Sequence, residues 1–404
     1  MFFVGIDWAA RSHALCVVDE AGAVVLRFGF AHSEQGLCEA LARLRELGES
    51  SALPIAIERT GGLLVERLLA AGHPVVPIHP NAFAAARPRW GAAGAKSDPG
   101  DAFKLADYLR SDCHRLRQLQ PTATRTRELQ ALSRLRDDHV EAKVAATNQL
   151  AALLDQHWPG AAAIFARLDS EIALDFLDRY PTPESATRLG EARLAAFLRR
   201  SSYCGRRSPG ELLGRLRAAP TPVSLLDSEV VAELVRAQVR LLRTLLATIA
   251  DLDRALGGAL LGHDKAAALA PLPRIGEVNL AQIVAEVGPA LERAQSVEQL
   301  AAEVGAAPVT RASGEHRSVC FRYACNSRAR KALATFADNS RHASPWAQDI
   351  YQRARARGCR HPHAIRILTR AWLRVIWACW RSGQPYDPTR HGALQRLTLK
   401  GGLT

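Results

Sequence analysis

Four acidic residues stand out by where they fall. Asp7 closes an apolar run, Glu58 closes another, and Asp98 and Asp101 lie three positions apart at the start of a helical pattern. Side chains three apart in a first helical turn share a face. If the runs ending in Asp7 and Glu58 are neighbouring strands, their carboxylates emerge together in the crevice where open α/β sheets take ligands. Clustered carboxylates repel one another unless cations hold them. Mg²⁺, or Mn²⁺ in its place, suits oxygen ligands and leaves coordination positions for phosphate and water. Two such ions about 4 Å apart activate an attacking oxygen and stabilise a leaving one. Taken singly, each acid reads more readily as a cap or turn residue. Their joint placement, beside Lys96 in a Lys-Ser-Asp-x-x-Asp stretch, favours a metal site. Lys96 itself reads as a phosphate contact or as an exposed loop charge.

These residues need a sheet and a helix to carry them. Runs at 2–8, 13–19, 23–30, 54–57 and 73–78 predict strands, the first three as an antiparallel meander. Segments 33–46, 63–71, 80–87 and 101–111 have helical periodicity, with Ser33 as a cap. A long amphipathic helix is expected over 122–157, with leucines at roughly heptad spacing, and a second over 225–261. The two are expected to pair as an antiparallel coiled coil, within one chain or between subunits. Residues 161–224 read as mixed and mostly helical, with no assignable chemistry. Beyond 267 come short helices, one at 296–304, a polar loop at 305–322, helices at 327–343 and 362–381, and a tail at 384–404. In the helix at 362–381, Trp372, Leu373, Ile376 and Trp377 read as core rather than as base-stacking residues. The expected domains are 1–115, 116–265 and 266–404.

Charge is unevenly distributed. The chain of 404 residues carries +13, yet from residue 309 onward 18 Lys and Arg face 4 Asp and Glu, leaving 35 against 36 before it. Only six basic residues are lysines, a compositional bias that explains the choice of Arg but not its confinement to one region. Such an excess implies nucleic-acid phosphates, or a solvated basic face. The eight cysteines include no C-x-x-C pair, so a structural zinc site is not expected. No spanning helix, signal peptide or Walker-type phosphate loop is evident. A cytoplasmic protein, nucleoid-associated when active and without membrane partners, is the expectation.

Residues 4–20 (VGIDWAARSHALCVVDE), 55–62 (IAIERTGG) and 96–110 (KSDPGDAFKLADYLR) together resemble the DEDD transposases of bacterial insertion sequences, the group numbered one-hundred-and-ten. So do 269–288 (LAPLPRIGEVNLAQIVAEVG), 300–317 (LAAEVGAAPVTRASGEHR), 325–333 (CNSRARKAL) and 383–388 (GQPYDP), in the same order. Cys325 stands where a family glycine is common, and Ala306–Ala307 where the family has glycine–leucine.

The resemblance implies a RuvC-like (ribonuclease H-like) mixed α/β domain, a helical coiled-coil region and a mostly α-helical transposase domain. It makes Asp7, Glu58, Asp98 and Asp101 the metal-binding catalytic tetrad, and Ser313 a nucleophile that links covalently to DNA. It further implies a structured noncoding bridge RNA pairing with donor and target DNA, and a homo-oligomer, dimer or tetramer. On the residues alone, a serine before glycine is usually a turn residue, and the only obvious base beside it is His316, which itself reads more readily as a surface histidine. Arg311, Arg317, Arg322, Arg328, Arg330 and Lys331 are the expected nucleic-acid contacts; Arg125, Arg127, Arg134 and Arg136 on the first long helix read equally as such contacts or as a solvated coiled-coil face. The rival reading is a RuvC-like nuclease or Holliday-junction resolvase that cuts by water attack and needs no Ser313.

Overall fold

The apolar runs near the N-terminus form five strands: β1 (Phe3–Trp8), β2 (Ser12–Val18), β3 (Val24–Ala31), β4 (Ile55–Ile57) and β5 (Val75–Pro77). Their order in the sheet is β3-β2-β1-β4-β5. The meander pairs antiparallel, while β1–β4 and β4–β5 are parallel, so the sheet is mixed. Helices α1 (Glu34–Arg45), α2 (Leu63–Ala70), α3 (Pro80–Ala86) and α4 (Asp98–Asp112) cover it. Alternation along each strand sends residues to two faces. Val4, Ile6, Leu15, Ile55 and Ile57 pack with Leu37 and Leu44 of α1 and Leu64 and Leu68 of α2. Phe3, Cys16, Val18 and Ala56 pack with Phe83 of α3 and with Ala102, Leu105 and Leu109 of α4. Each such buried aliphatic side chain contributes about 1.5–3 kcal/mol.

The structure, a computed structural model, describes residues 1–91, 97–223, 226–314 and 316–401. It falls into two units, Met1–Thr122 and Ala123–Thr404. The second unit is built on α5 (Thr124–His157) and, after the short helices α6 (Pro159–Ile164), α7 (Glu171–Arg179), α8 (Glu191–Arg200) and α9 (Pro209–Ala218), on α10 (Ser228–Leu261). α5 and α10 pair with each other in the same chain and run antiparallel. Thr126 meets His263 (3.0 Å) and Arg136 meets Asp253 (2.5 Å), while Leu150 and Leu154 share a core with Val231 and Val235. At 34 residues each and 1.5 Å per residue, they are roughly 50 Å long.

Segment 161–223 has a core of its own around one end of this pair. Trp158, Phe165 and Phe197 surround Phe176 with ring centroids 5.7–5.8 Å apart. The remaining helices, α11 (Ala266–Leu269), α12 (Glu277–Arg293), α13 (Val297–Glu303), α14 (Ser327–Ser340), α15 (Pro345–Ala356), α16 (His361–Ser382) and α17 (Gly392–Gly401), gather at the other end. Trp372 is fully buried there, between Phe336 and Trp346, and donates its Nε1–H to Ser340 Oγ at 2.8 Å.

One expectation is overturned. Residues 305–322 are not a loop throughout: β6 (Val309–Ser313) and β7 (His316–Cys320) form an antiparallel hairpin. Both of its faces are largely exposed, so its strands lack the alternation of burial that marks a strand in sequence. No described helix is long and apolar enough to cross a membrane, and all eight cysteines are free thiols.

His13 on β2 is buried, with Nε2 2.8 Å from His32 Nδ1. Burial, with the neighbouring His32, pushes its pKa down to about 4. The unfolded chain therefore binds a proton that the folded chain refuses between about pH 6.5 and pH 4. The stability due to the neutral ring is complete above pH 6.5 and is lost as pH falls through this window. Melting temperatures measured from pH 7 to pH 4.5 should fall less steeply for His13→Phe than for the parent chain. Parallel profiles would show that His13 does not carry this dependence.

Candidate functional site

Backbone register carries Asp7 and Glu58 to the same end of the sheet. β1 and β4 pair with Val4 opposite Ile55 and Ile6 opposite Ile57, so one further step sets Asp7 beside Glu58. Both are half-buried. Alternation assigns Asp7 to the face that carries α4. The helix crosses β1 at Gly5, where a Cβ would lie 2.1 Å from the Ala102 carbonyl oxygen and 2.4 Å from the Ala106 nitrogen. Only glycine permits that approach. At the far end of α4, Arg110 donates to the Glu20 carbonyl (3.2 Å), and Glu20 pairs with the Met1 amino group (2.7 Å). The helix thus runs antiparallel to β1, and its first turn lies at the Asp7 end. That turn begins at Asp98, earlier than its periodicity suggests. Ser97 caps it by accepting from Gly100 N, and Pro99 occupies the first turn, where its missing N–H costs nothing.

Asp98 is exposed, whereas Asp101 is only 2% exposed. A buried carboxylate needs partners, and Asp101 has two: Arg87 Nη2 donates to Oδ2 (2.8 Å) and Lys104 Nζ to Oδ1 (3.1 Å). Arg87 begins the short 3₁₀ turn Arg87–Trp90, which is fastened to α4 at two further points. Arg89 bonds Asp112 (2.7 Å), holding that carboxyl below its usual range, and Trp90 bonds Asp107 (2.8 Å). Lys104 was legible from the sequence as an i+3 partner of Asp101; Arg87 was not, because its place depends on the fold. Lys96 lies outside the described residues.

Four carboxylates at one sheet end have the right chemistry for a hard divalent cation. Their present arrangement does not fit a bound ion. Both Asp101 oxygens are engaged by cationic side chains, and among the described residues no group of three or more His, Cys, Asp or Glu is gathered to hold a metal.

Ser313 is the last residue of β6 and is exposed, with His316 directly opposite it in the register. Gly314 follows with φ of +55°, a left-handed conformation that glycine adopts without strain at a hairpin tip. Arg311 and Arg317 are exposed on the same hairpin. The other basic residues have intramolecular partners. Arg134 forms a two-point pair with Glu286 (2.6 and 3.2 Å), which is 4% exposed and also accepts from Asn326 (3.1 Å), the N-cap of α14. Arg322 donates to the Ala307 carbonyl (3.1 Å), Arg328 pairs with Asp138 (2.9 Å), and Arg330 lies over Phe321 (4.8 Å). Lys331 is 4.0 Å from Glu141, and Arg125 is 3.6 Å from Asp264. Arg136 is the partner of Asp253 already described, and Arg127 is exposed.

Comparison with known proteins finds the chain similar to the transposases of insertion sequences. Residues 4–159 match a family described as "Transposase", and residues 266–352 match the "Transposase IS116/IS110/IS902 family". The chain is 33% identical to the "Mini-circle putative transposase for IS117" of Streptomyces coelicolor, over 96% of each chain. It is 28% identical to the 42 kDa protein of insertion element IS900 from Mycobacterium paratuberculosis, over 96% and 97% of the two. To the 43.6 kDa protein of insertion element IS110 from S. coelicolor it is 26% identical, over 95% of each. The chain belongs to the IS116/IS110/IS902 family of transposases, enzymes that cut and rejoin DNA.

The contact at Gly5 yields a prediction. Gly5→Val forces α4 off the sheet, at a cost of at least about 1–3 kcal/mol from overpacking, and carries the first turn of α4 away from Asp7. The variant should melt lower and lose DNA cleavage. A variant that melts and cleaves like the parent would show that the close approach is dispensable.

Proposed function

We propose that this transposase cuts DNA by attack of Ser313 on a phosphodiester, assisted by the acids of a RuvC-like N-terminal unit and guided by a structured noncoding bridge RNA. The observation that carries the reading is the exposed serine at a hairpin tip between Arg311 and Arg317, in a chain whose other unit sets Asp7 and Glu58 at the ends of neighbouring strands and Asp98 and Asp101 in the first turn of α4. The sheet order β3-β2-β1-β4-β5, with an antiparallel meander leading into parallel strands, supports the RuvC-like assignment.

In this mechanism Ser313 Oγ bonds to phosphorus and the sugar oxygen leaves with the electron pair of the broken P–O bond. His316, opposite in the register, is the base that the hairpin offers for the hydroxyl proton. The serine ester keeps the energy of the cut bond, so a hydroxyl of the second strand rejoins the DNA by the reverse step without ATP. Arg311 and Arg317 anchor the flanking phosphates. Mg²⁺, or Mn²⁺, would be held by the four acids only if Asp101 were released from Arg87 or Lys104, and it would then supply charge neutralisation at the reacting phosphate. A homo-oligomer, dimer or tetramer, lets the acids of one copy serve the serine of another. The basic excess after residue 309 supports binding of both DNA and RNA.

Two measurements test this. End-labelled DNA carrying a nick or mismatch that slows rejoining should run attached to protein on a denaturing gel. Ser313→Ala should abolish the adduct and strand exchange while changing stability by no more than about 0.5 kcal/mol. Asp98→Ala should abolish cleavage while binding persists. Cleavage without an adduct in the parent chain indicates water attack, the nuclease reading; joining at the parent rate by Ser313→Ala puts the nucleophile elsewhere. For the guide, the purified protein should carry the noncoding RNA of its own element, held less tightly as salt rises. Recombination unchanged after removal of all RNA by nuclease would refute guidance.

A further inference from the structure

At the base of the serine hairpin, where it meets α15 and α16, lies a cavity of about 790 Å³. Six arginines line it: Arg322, Arg353, Arg357, Arg366, Arg370 and Arg374. His363 joins them, and no Asp or Glu is among the lining residues. Two of the six have acidic partners, Arg353 with Asp349 (2.5 Å) and Arg374 with Glu298 (4.0 Å). Among the described residues no carboxylate pairs with Arg357, Arg366 or Arg370. Like charges gathered in one concavity destabilise the folded chain, so the cavity is matched to a polyanion.

The spacing is also informative. Arg366, Arg370 and Arg374 recur every four residues along α16, about 6 Å apart on one helix face, a regular row suited to successive phosphates. Arg353 on α15 and Arg357 at its C-cap repeat the interval. The lining is not only cationic. Phe321 contributes to the wall and carries Arg366 over its ring at 5.0 Å. Tyr323, 83% exposed, meets Phe321 edge-on at 4.9 Å, and Val319 in the wall is 65% exposed. Arginines that track a backbone next to an aromatic ring open to solvent, here Tyr323, are the chemistry of unpaired strands, whose bases are free to stack. A paired duplex hides those base faces.

We propose that this cavity binds an unpaired DNA strand next to the point of cleavage, with its phosphates on the α15 and α16 arginines and a base on Tyr323. Ser313 ends the hairpin strand that leaves the cavity after Pro308, roughly 15 Å away at the rise of a β-strand, so a strand seated here reaches the serine within a few nucleotides. The inference rests on the reading that this unit handles DNA at Ser313. Its test reads affinity, not cleavage, and so fails or holds separately from the adduct assay.

The test uses the full chain freed of nucleic acid and fluorescein-labelled strands of about 20 nucleotides: single-stranded DNA, the same DNA as a duplex, and RNA of the same sequence. Anisotropy titrations at several salt concentrations compare the parent with Arg357→Gln/Arg370→Gln, with Tyr323→Ala, and with Arg206→Gln/Arg207→Gln, an exposed pair in the 161–224 segment. The cavity pair should weaken single-stranded DNA binding at least about tenfold and reduce the salt slope by about 1.4, two phosphates at about 0.7 each. Tyr323→Ala should cost at least about fivefold, the lower end of base stacking. The control pair should stay within about twofold, and unchanged melting temperatures confirm folding. Unchanged affinity in the cavity pair overturns the proposal. So does an equal loss in the control pair, or a loss for duplex or RNA as large as that for the single DNA strand.

Discussion

The arrangement of the N-terminal unit depends on how closely α4 approaches β1. At Gly5 the helix backbone sits where any side chain would be. This contact lets a 15-residue helix lie directly on the sheet, antiparallel to the strand beneath, and delivers its first turn to the end where Asp7 and Glu58 emerge. The turn Arg87–Trp90, bonded to α4 at Asp101, Asp107 and Asp112, fixes the helix along its length. Two contacts of opposite character therefore set the position of the acids: a steric one that only an absent side chain allows, and a set of ionic and polar ones that hold the helix in place.

Asp101 shows the conflict in such a site. Its burial is tolerable because two cationic groups neutralise it, and a buried carboxylate stripped of its partners costs several kcal/mol. The same pairing keeps the acids from presenting a ready-made ion site. Arg87 and Lys104 thus occupy both oxygens of Asp101. In the second unit the pair Arg134–Glu286 has a plainer role, tying α5 to α12 and, through Asn326, to the start of α14.

Much of this was legible in the sequence. The five strands follow from short apolar runs, and the four acids from their position at the ends of those runs, because strand ends and helix starts are local features. The hairpin under Ser313 was not legible, since neither face of it is buried and alternation leaves no trace. The choice between pairing in one chain and pairing between subunits for α5 and α10 was equally closed to sequence, because the same leucine stripe serves both. Within this chain the two helices pair with each other, through contacts such as Arg136 with Asp253, 117 positions apart. The internal partners of Arg134 and Arg328 were hidden for the same reason. An arginine read in sequence is a charge, and only the fold says whether an acid already answers it.

The long pair α5–α10 bears a different kind of consequence. It behaves as a strut roughly 50 Å long with a separate apolar core at each end: one built on Trp158, Phe176 and Phe197, the other on Phe336, Trp346 and Trp372. A core that shares no side chains with its neighbour drifts on its own, accepting substitutions that the other never feels. The strut keeps the two cores apart, so a cavity opened in the bundle around residues 161–223 leaves the packing at the end that carries the serine hairpin untouched.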